Sequence, residues 1–408
     1  MGGEKYMKEP KLRFKADDGS DFPDWEEKKL GKLTEKINRR GTNSTADIRM
    51  ISQGNGFILQ SDKYSRENAG ESLKKYTLLK KNEFAYNHGA SKMKPYGVCY
   101  RLCESDEARV PYVYHTFRFI SEIEDFWNYA LNTSKMDRQL KKIVSSGARM
   151  DGLLNIGYDA YMSVSVMVPS LPEQQKIADF LSTIDTIIEK QQATVSAWEE
   201  RKKGVMQKLF SQEVRFKADD GSDFPDWEEK KFGDVIKEFK EKTKIEDEDI
   251  LLSCAIDGVY LNSELFGHQR GQSNIGYLKV KRGTLILSAQ NLHLGNANVN
   301  MRFEHGIISP AYKTYEIVGC TIEYMNQWVK WDMTKQFFYN ATTVGASGCR
   351  RNVDWLMLYN QMFIVPSLPE QQKIADCLSA LDTVIQKQKE TLEKWQELKK
   401  GLLQQMFV

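Results

Sequence analysis

The side chains of this 408-residue chain best placed to do chemistry are amides and cations in short, glycine-punctuated stretches. In the first half these are Asn38-Arg39-Arg40-Gly41, Gln53-Gly54-Asn55, and the run from Asn87 to Lys94. In the second half they are His268 to Asn274, then Gln290-Asn291, then Arg350-Arg351. Polar, glycine-rich stretches of this kind read as exposed loops. Asn, Gln, Arg and Lys presented there can hydrogen-bond nucleobase edges, or neutralise phosphate oxygens. The candidate DNA-contacting residues are therefore Arg39, Arg40, Asn55, Lys92, Lys94, Arg149, Arg270, Gln272, Asn274, Gln290, Asn291, Arg350 and Arg351. For each of them, plain solvent exposure is the competing explanation. Arg149 and Arg350 occupy matching Ser-Gly-x-Arg stretches, Ser146–Arg149 and Ser347–Arg350, which favours a shared phosphate contact or a structural role over base discrimination.

Catalytic chemistry has no comparable foothold. There is no Pro-Pro pair, so no Asp/Asn-Pro-Pro-aromatic motif of adenine methylation, and no phosphate loop of the Gly-x-x-x-x-Gly-Lys-Ser/Thr type. His88, His115, His268, His293 and His305 stand apart from any metal-ligand spacing. Cys99 and Cys103 lack a second Cys or His pair, so all six cysteines read as reduced thiols. The acidic run Glu246-Asp247-Glu248-Asp249 reads as a solvated helix start. No catalytic or metal-binding residue is expected. The start, MGGEKYMKEP, carries no signal-peptide core, and no apolar stretch is long enough for a bilayer, so a soluble cytoplasmic protein is expected. The net charge of +2 is uninformative. Residues 32–168 hold 21 Lys and Arg against 15 Asp and Glu, and residues 234–364 hold 14 of each. That basic excess permits a phosphate-facing surface without demanding one.

The elements that must position these loops are written twice. Arg13–Gly31 reads RFKADDGSDFPDWEEKKLG, and Arg215–Gly233 repeats it with Phe232 in place of Leu30. VPSLPEQQKIAD stands at Val168–Asp179 and again at Val365–Asp376. Two near-identical frames therefore bracket two diverged inserts. Faint correspondences survive within the inserts: Tyr76–Tyr86 with Tyr277–Leu287 as strand, turn, strand, and Thr116-Phe117 with Thr314-Tyr315. One mainly β fold with some helix is expected in both. Phe22, Pro23 and Trp25, with their copies Phe224, Pro225 and Trp227, read as a scaffold turn or as part of a partner interface.

Each second frame segment opens a long helix. Ser170-Leu171-Pro172-Glu173 and Ser367-Leu368-Pro369-Glu370 fit a capping box, with the Ser accepting and the Glu reaching back. A 4-3 apolar spacing follows. It runs through Ile177, Leu181, Ile184, Ile188, Val195 and Trp198 in the first helix, and Ile374, Leu378, Leu381, Ile385, Leu392 and Trp395 in the second. That is a coiled-coil seam. Gln191 and Lys202 interrupt it, as do Gln388 and Lys399, either to fix register or because they lie at the edge and reach water. Connectivity makes the pair antiparallel, since the second insert folds locally and returns the chain near its departure point. At about 1.5 Å per residue, roughly 38 residues span close to 57 Å. The fold expected is α+β: recognition domains over 1–167 and 213–364, spacer helices over 168–212 and 365–408, and a pseudo-two-fold dumbbell.

This layout resembles the specificity (S) subunits of type I restriction-modification systems. The resemblance rests on …FPDWEEKKLG… opening each half, the SGxR stretch, and …VPSLPEQQKIAD… opening each helix, and it covers nearly the whole chain. It implies that each insert is a target recognition domain reading one half of a split site on double-stranded DNA. It further implies that the helices separate the domains and dock two methyltransferase (M) subunits, through which restriction (R) subunits join. S-adenosylmethionine, ATP and Mg2+ would then sit on the partners only, and this chain would be a non-catalytic subunit. Half-sites about one helical turn apart, near 10 bp centre to centre, would leave an unread gap of roughly 6–8 bp in an asymmetric bipartite target. Two alternatives from the residues alone are a coiled-coil scaffold for proteins and an orphan DNA-binding protein. Steep weakening by salt separates DNA binding from the scaffold.

Overall fold

A computed structural model describes residues 10–407 apart from 43, 53, 64–69, 90–93, 145–155, 267–272 and 345–350. The chain forms two compact units, residues 1–190 with 391–408, and residues 191–390. Both divisions fall inside the two long helices, Leu171–Phe210 and Leu368–Met406.

In the first unit β1 (Glu26–Lys29) pairs antiparallel with β10 (Ser165–Val168), so the two frame segments close the insert between them. Inside lie β2 (Thr34–Lys36), β3 (Arg49–Ser52), β4 (Gly56–Leu59), β5 (Thr77–Lys80), β6 (Phe84–Asn87), β7 (Val98–Arg101), β8 (Glu107–Val110) and β9 (His115–Phe119). Four of them form an antiparallel sheet in the order β2-β9-β6-β7, flanked by the ribbons β3–β4 and β5–β8. The helices Glu124–Ala130, Ser134–Ile143 and Tyr158–Met162 follow.

The second unit repeats this plan. β11 (Glu228–Lys231) pairs with β22 (Met362–Val365). Between them run β12 (Ile236–Phe239), β13 (Leu252–Cys254), β14 (Val259–Leu261), β15 (Leu278–Lys281), β16 (Leu285–Ser288), β17 (Ala297–Val299), β18 (His305–Ile308) and β19 (Tyr312–Ile317). The sheet order is β12-β19-β16-β17, with ribbons β13–β14 and β15–β18, the same path as in the first unit. A further ribbon joins β20 (Thr342–Val344) to β21 (Arg351–Val353). The strand-turn-strand correspondence read from Tyr76 and Tyr277 is β5–β6 and β15–β16. The turn between them needs a left-handed residue in both copies, met by Asn82 (φ 70°) and Gly283 (φ 84°). The matched threonines are equivalent too. Thr116 Oγ1 donates to the Ile37 carbonyl at 2.9 Å, and Thr314 Oγ1 to the Phe239 carbonyl at 2.6 Å.

What fastens each frame is a buried carboxylate. Glu173 has no exposed side-chain surface. It accepts from Arg13 Nε at 3.0 Å and Nη2 at 2.9 Å, and from the Trp25 indole at 3.2 Å. Glu370 does the same with Arg215 at 3.0 and 2.8 Å and with Trp227 at 3.1 Å. The arginines also donate to the Phe22 and Pro23 carbonyls, and to those of Phe224 and Pro225. The expected capping box is therefore absent. Each Glu serves residues some 150 positions away, and Ser170 Oγ and Ser367 Oγ find no partner among the described residues. A bidentate Arg–carboxylate pair out of water is worth more than a local cap, which is why the tertiary partner wins. The Gln after each Glu, also buried, ties the helix start to the insert. Gln174 accepts from the Ile123 amide at 3.1 Å, and Gln371 from the Thr321 amide at 2.7 Å. Of the two readings of the Phe-Pro-x-Trp turn, the scaffold is the one these contacts support.

The seam forms with one modification. Ile177, Leu181, Ile184, Val195, Ile374, Leu378, Ile385 and Leu392 are buried, and Ile188, Trp198, Leu381 and Trp395 are half-buried. Towards the domains the helices do more than pair. Ile177 and Leu181 join Phe126, Trp127 and Met406 in the first unit's core, and Ile374 and Leu378 join Tyr324, Phe363 and Leu209 in the second's. The polar seam positions meet across the helices. Gln191 Nε2 donates to Gln388 Oε1 at 2.7 Å, and Lys202 pairs with Asp382 at 2.6 Å. Lys399 pairs with Asp185 in the first unit. Gln191 beside Gln388 and Lys202 beside Asp382 make the helices antiparallel within the second unit. Cross-helix pairing of this kind supports the register-fixing role over the edge reading.

Removing one partner of a buried ion pair leaves the other charge stranded, at a cost of about 3–5 kcal/mol. Arg13→Met is therefore expected to destabilise the first unit by about that amount, with early loss of amide protection in β1 and β10. Adding Glu173→Leu should recover part of it. Hydrogen exchange and urea melts check both, and a harmless Arg13→Met would contradict the role given to the pair.

Candidate nucleic-acid interface

The candidate residues divide by whether the fold has already used them. Lys92, Arg149, Arg270, Gln272 and Arg350 lie outside the described residues. Four others have partners within the fold, and for the buried Asn274 this corrects the expectation. Asn274 is fully buried: its amide donates to Asp247 Oδ1 at 2.6 Å and accepts from the Asp247 amide at 2.8 Å. It holds the 246–249 acidic turn and cannot face a base. Arg39 is bound to Glu83, a buried carboxylate that also accepts from the Lys80 amide at 2.7 Å. Arg351 donates to Thr342 through Nε at 2.7 Å and Nη2 at 2.8 Å, with its guanidinium 4.0 Å over the Tyr339 ring. Lys94 donates to the Asn132 carbonyl at 3.2 Å. An arginine or lysine in a glycine-punctuated stretch looks alike on paper whether it faces water or a carboxylate 44 residues on, as Glu83 is from Arg39.

Four remain presented. Arg40 is exposed, and its side chain donates to the Lys75 carbonyl at 2.9 Å. Asn55 sits exposed in the turn joining β3 to β4. Gln290 and Asn291 follow β16, both exposed, and they line a cleft of about 260 Å3. Ser253, Asn262, Tyr277 and Tyr312 line the same cleft. Sequence reading missed these four because they come from separate strands, a short helix and a loop spread over some 60 positions, with no common spacing. Only the sheet brings them together.

The first unit holds one more grouping that the linear sequence hid. His88 and His115 stack with ring centroids 5.0 Å apart, between Tyr86 and Tyr158. Their Nε2 atoms hydrogen-bond the Val113 and Ile156 carbonyls at 3.0 and 2.8 Å. A carbonyl only accepts, so both Nε2 atoms carry hydrogen. Burial holds His115 below its ordinary value of 6.5; the Ile156 carbonyl opposes this, while His88 and Lys36 push the same way. Burial also pushes the Cys99 and Cys254 thiols up to about 12, which keeps them protonated and unreactive.

Because the folded state resists protonating His115, the unfolded state binds more protons as pH falls below 6.5. The neutral histidine's contribution is thus full above 6.5 and is lost as pH drops through the lowered folded value. The first unit should melt at progressively lower temperature from pH 6.5 to pH 5, and His115→Gln should flatten that slope. An unchanged slope in the variant would assign the pH dependence elsewhere. Asn274→Ala is expected to destabilise the second unit by about 1–3 kcal/mol, because it removes both side-chain hydrogen bonds to Asp247, one of them to its carboxylate. Urea melts measure it, and an unaffected midpoint would restore Asn274 as a surface candidate.

Residues 106–196 match the family model of the type I restriction modification DNA specificity domain. The specificity subunit of the type I restriction enzyme MjaVIII from Methanocaldococcus jannaschii is 23% identical over 275 residues, which cover 62% of this chain and 64% of that one. Among solved structures, the S subunit of a type I restriction-modification system from M. genitalium aligns over 98% of this chain and 99% of its own, with TM-score 0.50 and 14% identity. A chain from a structure on the assembly and conformational transition of the type I R-M system aligns over 94% and 97%, with TM-score 0.51 and 14% identity. At such identity these structures speak for the fold. Among the described residues no helix is long and apolar enough to cross a membrane. The matched specificity domain, the relative and the shared fold make this chain similar to type I restriction-modification specificity subunits, in keeping with its duplicated frames and long helices.

Proposed function

We propose that this chain selects the DNA sequence on which a type I restriction-modification complex acts, and performs no catalysis itself. Each domain reads one half of a bipartite target on double-stranded DNA, and the paired helices dock two methyltransferase subunits, through which restriction subunits join. The observation that carries the reading is a contrast between the two units. They share strand order, frame contacts and turn geometry, yet differ where side chains are presented: Gly89 and Gln290 occupy equivalent positions just after β6 and β16. A fold kept while its presented residues diverge is what two readers of different sequences require. S-adenosylmethionine, ATP and Mg2+ belong to the partners on this reading.

Methylome sequencing of a host expressing this chain with its methyltransferase, against the methyltransferase alone, is the test. The expected result is one asymmetric split motif with an unread gap of roughly 6–8 bp. Equal methylation in both hosts, or a continuous motif, would overturn the proposal. Binding of the purified complex to that motif should also weaken steeply with salt, since phosphate contacts release counterions.

A further inference from the structure

The cleft beside Gln290 and Asn291 has a composition that selects among bases. Among the described residues lining it there is no Lys, Arg, Asp or Glu. A cationic fork is the usual partner of guanine's two acceptors, and a carboxylate that of cytosine's amino group; neither stands among the described residues of the lining. What the cleft offers is amides. The Gln290 and Asn291 side chains make no hydrogen bond among the described residues, whereas the Asn262 amide is engaged with Ser253 at 2.9 Å. An amide matches adenine, accepting from N6 and donating to N7 in the major groove.

The backbone beneath the two amides is held firmly, although the amides are not. The Asn291 N–H donates to Ser288 Oγ at 3.1 Å, and its carbonyl accepts from Leu294 at 3.0 Å and Asn296 at 3.3 Å. Gly295 closes this turn at φ 89°, and a Cβ there would sit 3.0 Å from Lys335 Cγ. Two unspent amides on a fixed turn lose little freedom on binding, which suits them to discriminate. We propose that Gln290 and Asn291 read an adenine in the half-site of the second domain, and that Gly89 leaves the first domain without that contact. This rests on reading the chain as a DNA sequence reader.

The experiment is selection from random duplexes by the full chain with its methyltransferase, comparing wild type with Gln290→Ala, Asn291→Ala and the double variant. Both side chains are exposed, so truncation leaves the fold intact, and a thermal melt checks this. The expected result is roughly 5- to 150-fold loss of preference at one A·T position in one half-site, with the other half-site and the gap unchanged. The two single variants then show which amide makes the contact. An unchanged motif in the double variant, or relaxation at a G·C position, overturns the assignment while leaving the chain a DNA reader. If the wild type itself selects no split motif, the functional reading fails and this inference fails with it.

Discussion

Glu173 and Glu370 are carboxylates that solvent does not reach, and each is stable there only because an arginine fork and an indole N–H meet it together. The rest of each unit follows from that requirement. Arg13 and Trp25 lie at one end of the insert and Glu173 at the other, so satisfying the carboxylate brings the insert's ends together and permits β1 to pair with β10. The same residue stands in the first turn of the long helix, so the helix start is fastened in the same event. Buried ion pairs are weak contributors to net stability, but strict about which partners and distances they accept. That strictness accounts for two frames that repeat the same Arg, Trp and Glu contacts around diverged inserts.

A second polar layer repeats the logic on the helices. In the first unit Asp185 receives Lys399 from the opposite helix and the Tyr129 hydroxyl, at 2.7 Å, from the domain. In the second, Asp382 receives Lys202 from the opposite helix and the Gln327 amide, at 2.9 Å, from the domain. One carboxylate in each unit thereby joins three elements. Apolar residues alone leave a helix pair free to slip by a heptad, whereas a carboxylate with two named partners does not. The domain helices that supply Tyr129 and Gln327, Glu124–Ala130 and Ile322–Trp328, are equivalent, so the device belongs to the duplicated fold and not to one insert's sequence.

How much of this was legible in the sequence depended on the range of the interaction. The frames were plain because they are written twice, and the strand-turn-strand pairs because Tyr76 and Tyr277 open matching runs. The long helices showed through a spacing that needs no partner to be seen. What stayed hidden was every contact between distant residues of unrelated type. Ser170-x-x-Glu173 satisfies a local capping rule, and only the fold reveals that the Glu is taken by Arg13. Asn274 and Gln290 have equal claims as polar loop residues until the fold buries one and presents the other. His88 and His115, 27 positions apart, meet because two antiparallel strands end side by side.

On the proposed function, the frames are interchangeable mounts and the inserts alone carry sequence selectivity. Replacing residues 234–361 with residues 32–164 would place the first insert in both frames, leaving Arg215, Trp227 and Glu370 in position. Methylome sequencing with the same methyltransferase should then return a split motif built from two copies of the first half-site, with the second half-site gone. Persistence of the original asymmetric motif would show that selectivity resides in the frames or helices, and would contradict the account.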